Sequence, residues 1–332
     1  MSIDLVTGGG GFIGSHLVDA LLRQGRTVRV IDNFATGRPQ NLAQHKGNDA
    51  LTVMTGDVAD QKVMAEAMKG VRRVFHLAAL ADIVPSVQNP AAYFRANVDG
   101  TFVTLEAARA EKVESFVYTA SSSCYGIPDN YPTREDAPPR PEYPYALTKW
   151  MGESLAMHWA KIYDLPVTSL RLFNVYGPRA RTSGTYGAVF GVFLAQLLAG
   201  KPLTIVGDGE QSRDFTFVSD VVAAFLAAAE KKRWGKIFNV GSGRPSKVNE
   251  LVKLLGSPAS VHIPKRPGEP DCTFADITAI TRELGWASSV PFAEGVAIMM
   301  KNIEYWRDAP VWTPQTIETA TVDWFKHLGK GA

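Results

Sequence analysis

Short apolar runs and longer amphipathic runs alternate through the first half of the chain. Residues 3–7 (IDLVT) are a compact β-rich run, and residues 15–24 (SHLVDALLRQ) then place apolar side chains at helical spacing. The same reading predicts strands over 27–31, 51–54, 74–77, 115–120 and 167–172. Long helices are predicted over 93–111 and 145–163. Alternation of this kind predicts an α/β fold, a doubly wound parallel sheet with helices on both faces. After Phe173 the pattern loosens. Loops rich in glycine and proline appear, at 176–187 and 264–271, and between them lie short strands at 203–206 and 237–240 and helices at 189–199 and 221–230. We therefore expect one domain over 1–173 and a smaller mixed α/β region over 174–332, some of whose strands and helices return to the first. No flexible linker divides them, so a shared cleft is expected at the carboxyl ends of the sheet strands.

Composition adds mostly exclusions. Of 332 residues, 45% are hydrophobic and 20% charged, as in ordinary globular proteins. A net charge of +2 points to neither a nucleic-acid nor a membrane partner. The N-terminus (MSID) carries no signal-peptide pattern, and no apolar stretch reaches the length of a membrane span. Two cysteines make neither a disulfide framework nor a cysteine-rich zinc site, so a reducing cytoplasm and no metal are expected. The aromatic-rich run at 304–328 reads as packing against the domain.

Candidate chemistry begins at the first strand-to-helix turn. Gly8, Gly11 and Gly14 fall at positions 1, 4 and 7 of that turn in LVTGGGGFIGSHL. Such spacing allows a tight turn, close approach of a pyrophosphate and close helix–sheet packing. Helix-terminal amides then face the phosphates. Asp32 ends the second strand, where a carboxylate accepts ribose hydroxyls of NAD and repels the extra phosphate of NADP. Asp57 after the third strand could meet the adenine edge or simply hold a turn. Residues 1–173 thus read as an NAD-binding domain.

A second group lies further on. Tyr145 and Lys149 are four residues apart at the start of a helical run, which puts both on one face. A cation beside a phenol favours the phenolate, so tyrosine can serve as a base. Tyr143 competes for that role, but the residue four positions after it is Leu147, which supplies no cation. The serines of ASSSCYG, at 120–126, end a strand some twenty residues earlier.

At this point the chain resembles the extended short-chain dehydrogenases/reductases of the NAD-dependent epimerase/dehydratase family, in the branch acting on nucleotide sugars. The resemblance covers nearly the whole chain. It rests on TGGGGFIG at 7–14, Asp32, HLAA at 76–79, Asn97, SSSCYG at 121–126 and YALTK at 145–149. RLFNVYGPR at 171–179, SRDFTFVSD at 212–220 and RPGE at 266–269 complete it. It is most similar to UDP-sugar 4-epimerases. The resemblance implies a Rossmann-type sheet with a nucleotide-sugar region over 174–332. It also implies cofactor contacts from Gly8, Gly11, Phe12, Ile13, Gly14, Asp32, Asn33, Asp57 and Val58. Leu77, Ala78, Ala79, Asn97, Tyr145 and Lys149 would complete that set.

It further implies that Ser121, four residues before Tyr125, hydrogen-bonds the sugar hydroxyl being oxidised. Tyr145 would take its proton, and Lys149 would hold the nicotinamide ribose and lower the phenol pKa. Related dehydratases carry Asp-Glu at the next two positions, and UDP-glucuronate decarboxylases typically carry Glu at the second. Here these are Ser122 and Ser123, expected to bind sugar or pack. Asn174, Arg213, Arg266 and Glu269 match positions touching the nucleotide diphosphate or its ribose. Arg179 and Arg181 could assist. Leu203–Ile205 resembles the backbone segment that reads uracil. Thr273 stands seven residues after Arg266, where a bulky tyrosine restricts relatives to plain hexoses, so space for an N-acetyl group is implied. The segments 80–90 and 182–190 depart from the pattern of strict UDP-glucose epimerases. A homodimer through the two long helices is likewise implied.

Overall fold

Residues 2–180 and 187–329 are described by the computed structural model. Arg181 and most of the departing loop at 182–190 therefore lie outside the described residues. The first strands are β1 (Ile3–Thr7), β2 (Thr27–Asp32), β3 (Leu51–Thr55), β4 (Val71–His76), β5 (Ser115–Ser121) and β6 (Val167–Leu172). Later ones are β7 (Val175–Tyr176), β8 (Leu203–Val206), β9 (Ser212–Arg213), β10 (Thr216–Phe217), β11 (Lys236–Val240), β12 (Ser246–Lys247) and β13 (Ser260–Ile263). The principal sheet has seven strands in the order β11-β6-β5-β4-β1-β2-β3. Every neighbouring pair in it is parallel. This is the Rossmann-type order, and the sequence in which strands are laid down across the sheet reverses between β1 and β4. A crevice forms at the carboxyl ends of the strands on either side of that reversal.

Helices cover both faces. They are α1 (Phe12–Arg23), α2 (Gln61–Met68), α3 (Ile83–Gln88), α4 (Pro90–Phe94), α5 (Gly100–Glu111) and α6 (Pro144–Tyr163) in the first half. Then come α7 (Val189–Leu198), α8 (Val218–Lys231), α9 (Val248–Leu254), α10 (Thr278–Leu284), α11 (Phe292–Lys301) and α12 (Pro314–Leu328). One face buries Leu17, Val18 and Leu21 of α1 against Val221 and Phe225 of α8. The other buries Leu5, Val74, Phe116 and Tyr118 beneath Leu105 and Ala156. Each large apolar side chain among them contributes about 1.5–3 kcal/mol on leaving water. A separate core, built on Phe190, Phe193, Ile205, Phe217 and Trp306, supports the second half.

Several boundaries differ from the sequence reading for identifiable reasons. Helix α1 begins at Phe12, inside the glycine turn, where no amphipathic period is visible. The helix expected over 93–111 starts at Pro90 and passes through a π-helical stretch at Arg95–Asp99 before α5. Pro90 suits the first turn because it has no amide hydrogen to satisfy there. Helix α8 starts at Val218, three residues before the expected 221. Among the described residues, no helix is long and apolar enough to cross a membrane.

Candidate active site

A cavity of about 870 Å³ runs along the carboxyl edge of the sheet and under the second half of the chain. Its first end is the turn between β1 and α1. Gly8 has φ +70°, and a Cβ there would lie 2.8 Å from the Ala78 amide nitrogen. A Cβ on Gly14 would fall 2.2 Å from the Gly8 carbonyl oxygen. No side chain caps α1, whose N-cap is Gly11. The first-turn amides are therefore available to an anion beside the cavity that Gly11, Phe12, Ile13 and Gly14 line.

Asp32 closes this end. Its Oδ2 accepts from the Gly10 amide at 2.9 Å and its Oδ1 from the Phe34 amide at 2.8 Å. Burial raises its carboxyl pKa, and those two amides oppose the rise. A carboxylate has about four acceptor positions, so ribose hydroxyls can still be accepted. Asn33, Asp57, Val58, Leu77, Ala78 and Ala79 also line the cavity. Asp57 is engaged twice, by the Ala59 amide at 2.9 Å and by Arg95 at 3.0 Å. The uncapped helix, the turn that admits no Cβ and the placed carboxylate fit a dinucleotide.

Asn97 does not reach the cavity. It is 1% exposed, accepts from the Leu80 amide at 2.8 Å, and donates to the Leu80 carbonyl and Thr148 hydroxyl at 3.0 Å each. Its work is to pin the loop after β4 to helix α6. Behind it lies a directional chain. Amides of Leu77 and Ala78 donate to Thr7 Oγ1, which lies 2.9 Å from His76 Nδ1. Thr101 Oγ1 donates to the Asn97 carbonyl and so accepts from His76 Nε2. His76 is thereby a neutral imidazole protonated on Nε2, and burial lowers its pKa to about 3.

The middle of the cavity is the junction of β5 and α6. Ser121, Ser122, Ser123, Tyr143, Tyr145 and Lys149 all line the cavity. Ser121 ends β5, and its Oγ sits 2.8 Å from Ser123 Oγ. Pro144 opens α6, and Tyr145 and Lys149 follow on one face. Burial raises the Tyr145 pKa; the Ser121 hydrogen bond lowers it, the Asp82 carboxylate raises it, and a Ser123 hydrogen bond lowers it again. Lys149 is 4% exposed, and burial lowers its pKa to about 7 against the pull of Glu153. Its Nζ lies 4.7 Å over the Tyr118 ring. Tyr143 has no cation four residues on, yet it is not idle. It stacks against Tyr145 with centroids 6.3 Å apart and hydrogen-bonds Ser123.

The third end gathers Asn174, Arg179, Arg213, Arg266, Glu269 and Thr273. Arg213 donates to Glu269 at 2.9 Å, and Arg266 approaches it at 3.8 Å. Burial raises the Glu269 carboxyl, but Arg266 and Arg213 outweigh it and hold it below its ordinary value. Arg179 reaches back to Asp19 of α1 at 2.8 Å. Leu203 is the exception. It is fully buried in the second core, and its neighbours Thr204 and Val206 line the cavity instead. The C-terminal half adds Tyr305, Trp312 and Trp324, which periodicity alone does not place there. Among the described residues, no cluster of His, Cys, Asp or Glu could hold a metal ion.

Fold and site together define a dinucleotide-dependent enzyme on a Rossmann-type sheet. The profile of the NAD dependent epimerase/dehydratase family matches residues 5–241. A UDP-glucose 4-epimerase from Mycolicibacterium smegmatis is 39% identical over 313 residues, covering 92% of this chain and 98% of the relative. The crystal structure of UDP-glucose 4-epimerase from Thermotoga maritima with UDP-glucose superposes with a TM-score of 0.85 at 36% identity, covering 92% of this chain and 98% of that one. A UDP-glucuronic acid 4-epimerase from Bacillus cereus, in complex with UDP-glucuronic acid and NAD, gives a TM-score of 0.85 at 31% identity over 91% of this chain and 99% of that one. The chain belongs to the NAD dependent epimerase/dehydratase family, and NAD is its cofactor.

Proposed function

We propose that the protein is an NAD-dependent UDP-sugar 4-epimerase. The observation that carries this reading is the reacting end: Ser121, Tyr145 and Lys149 meet in one cavity with hydroxyls, not carboxylates, at 122 and 123. The uncapped start of α1 would hold the pyrophosphate, Asp32 a ribose, and Lys149 the nicotinamide ribose. NAD, when bound, supplies the acceptor and return donor of hydride at sugar C4, so that centre inverts without net oxidation. Tyr145 takes the proton of the C4 hydroxyl and later returns it. Ser121 hydrogen-bonds the same oxygen and stabilises charge as it develops there. Elimination of water or loss of carbon dioxide has no carboxylate at 122 or 123 to serve it.

Arg213, Arg266 and Asn174 bind the diphosphate, and Glu269 accepts from the nucleotide ribose. Arginine suits this because its fork is planar and always charged. The strand over Leu203–Val206, whose Thr204 and Val206 line the cavity, reads the base. A threonine at 273 leaves room for an N-acetyl group, so UDP-N-acetylhexosamines enter the proposed substrate range alongside UDP-hexoses. We assign the reaction to polysaccharide precursor supply in the cytoplasm. Exposed Phe102, Ile162 and Tyr163 on α5 and α6 support a homodimer.

The test is a panel of UDP-sugars incubated with the purified protein without added NAD, followed through the anomeric and C4 protons by NMR. Interconversion of gluco and galacto forms is expected. A 4-keto-6-deoxy product or released carbon dioxide sinks the reading. Tyr145→Phe should lower turnover by about a thousandfold while nucleotide binding persists.

A further inference from the structure

Thr273 enters the sequence reading through its size alone. Its hydroxyl does something more specific. The Asp214 backbone amide donates to Thr273 Oγ1 at 3.0 Å. An amide N–H can only donate, so the hydroxyl hydrogen remains free to be given elsewhere. It is given to Asn174 Oδ1 at 2.7 Å. That bond engages the acceptor side of the Asn174 amide. Nδ2, with its two hydrogens, has no partner among the described residues, and Asn174 lines the cavity.

The anchor of this chain is rigid. The Asp214 side chain is fully buried. Its Oδ2 accepts from the amides of Ala275 at 3.0 Å and Gly243 at 3.2 Å, and its Oδ1 accepts from the Ser242 hydroxyl at 2.6 Å. One carboxylate thus joins the loop after β11 to the segment that carries Thr273. The Asn174 backbone is held separately, its carbonyl accepting from the Thr216 amide at 3.1 Å.

We propose that Thr273 is a positioning residue: its hydroxyl, oriented by the Asp214 amide, turns the Asn174 side chain so that Nδ2 donates into the nucleotide-sugar end of the cavity. An unrestrained asparagine exposes either its carbonyl or its amine. The carbonyl would repel a diphosphate, whereas the amine donates to it. The inference rests on the reading of this end as a UDP site. It gives position 273 an electronic role independent of pocket size.

The test is a double-mutant cycle read by calorimetry with UDP on the full chain. Thr273→Val is nearly isosteric, so pocket size is unchanged while the hydroxyl is lost. It should weaken UDP binding roughly tenfold, the equivalent of one hydrogen bond. Asn174→Ala should weaken it comparably, and the double variant should be no weaker than Asn174→Ala alone. Thr273→Ser restores the hydroxyl in a smaller side chain and should bind within about twofold of wild type. Additive losses in the cycle, or a serine variant as weak as the valine one, overturn the relay. So does wild-type affinity in Thr273→Val. Failure of the wild-type protein to bind UDP at all overturns the underlying reading of the site instead, and this proposal's ligand with it. Thermal unfolding of each variant separates lost orientation from lost folding.

Discussion

Replacing Lys149 with methionine removes a cation from the buried face of α6. Burial lowers the lysine pKa from 10.5 to about 7, and Glu153 only partly restores it. Between those values the folded protein binds fewer protons than the unfolded chain, so stability rises with pH across that window. Below about pH 7 both states are protonated and the full penalty applies. A tenfold change in proton affinity is worth about 1.4 kcal/mol, which makes the penalty about 5 kcal/mol at pH 6 and about 2 kcal/mol at pH 9. Methionine has comparable length and no charge. Its altered packing, and the loss of the contact over Tyr118, are felt at both pH values. The difference between the two pH values is therefore the clean readout. Relative to wild type, Lys149→Met should gain about 3 kcal/mol more stability at pH 6 than at pH 9. Urea unfolding of nucleotide-free protein at both pH values measures it. Epimerase turnover should be lost in the same variant, a stabilising change made at the expense of function. A stability difference that does not change with pH would refute the reasoning, because it would mean Lys149 titrates normally in the fold.

Gly14→Ala would place a methyl 2.2 Å from the Gly8 carbonyl and should weaken NAD binding by at least about a hundredfold on calorimetry. Gly25→Ala, at φ +71° with nothing within 4 Å, should cost only about 1 kcal/mol and leave NAD affinity intact. Arg171→Met leaves the Glu153 carboxylate buried without the guanidinium that now donates to it at 2.7 Å. Stability should fall by about 3–5 kcal/mol in urea, and adding Glu153→Leu should recover most of it.

What the sequence makes legible follows the range of the interactions concerned. Strands β1, β6 and β8 can be read to the residue because each is a short run rich in β-branched and aliphatic residues with local boundaries. Leu203 shows the limit of that precision. The pattern places its strand correctly, but side chains alternate across it, and which of them face the cavity, Thr204 and Val206, and which the core, Leu203 and Ile205, is decided by distant packing. Asn97 shows a different limit. The resemblance implies its contact with the cofactor, whereas its side-chain partners, Leu80 and Thr148, lie 17 and 51 residues away and leave no local trace in the sequence. Tyr305, Trp312 and Trp324 reach the cavity from the far end of the chain, and periodicity within their own segments says only that they are packed.

The serine turn joins both kinds of information. Its local sequence, with Ser121 closing β5, is legible as a candidate site. What holds it in place is not. Tyr125, which ends the turn, donates to Asn239 Oδ1 at 2.7 Å and accepts from Arg171 at 2.8 Å. Asn239 in turn donates to the Thr133 carbonyl at 2.9 Å, and its amide donates to Glu135 at 2.9 Å. Arg171 is neutralised by Glu153, one turn beyond Lys149 on α6. A single buried network therefore ties the strand bearing Ser121 to the helix bearing Tyr145 and Lys149. Fully satisfied networks of this kind resist small displacements, since any shift leaves a buried polar group unpaired. The proposed reaction at a sugar carbon requires that serine and tyrosine be set to within about 0.5 Å of their productive geometry, and this network, drawn from separate elements of the chain, holds the two elements that carry them.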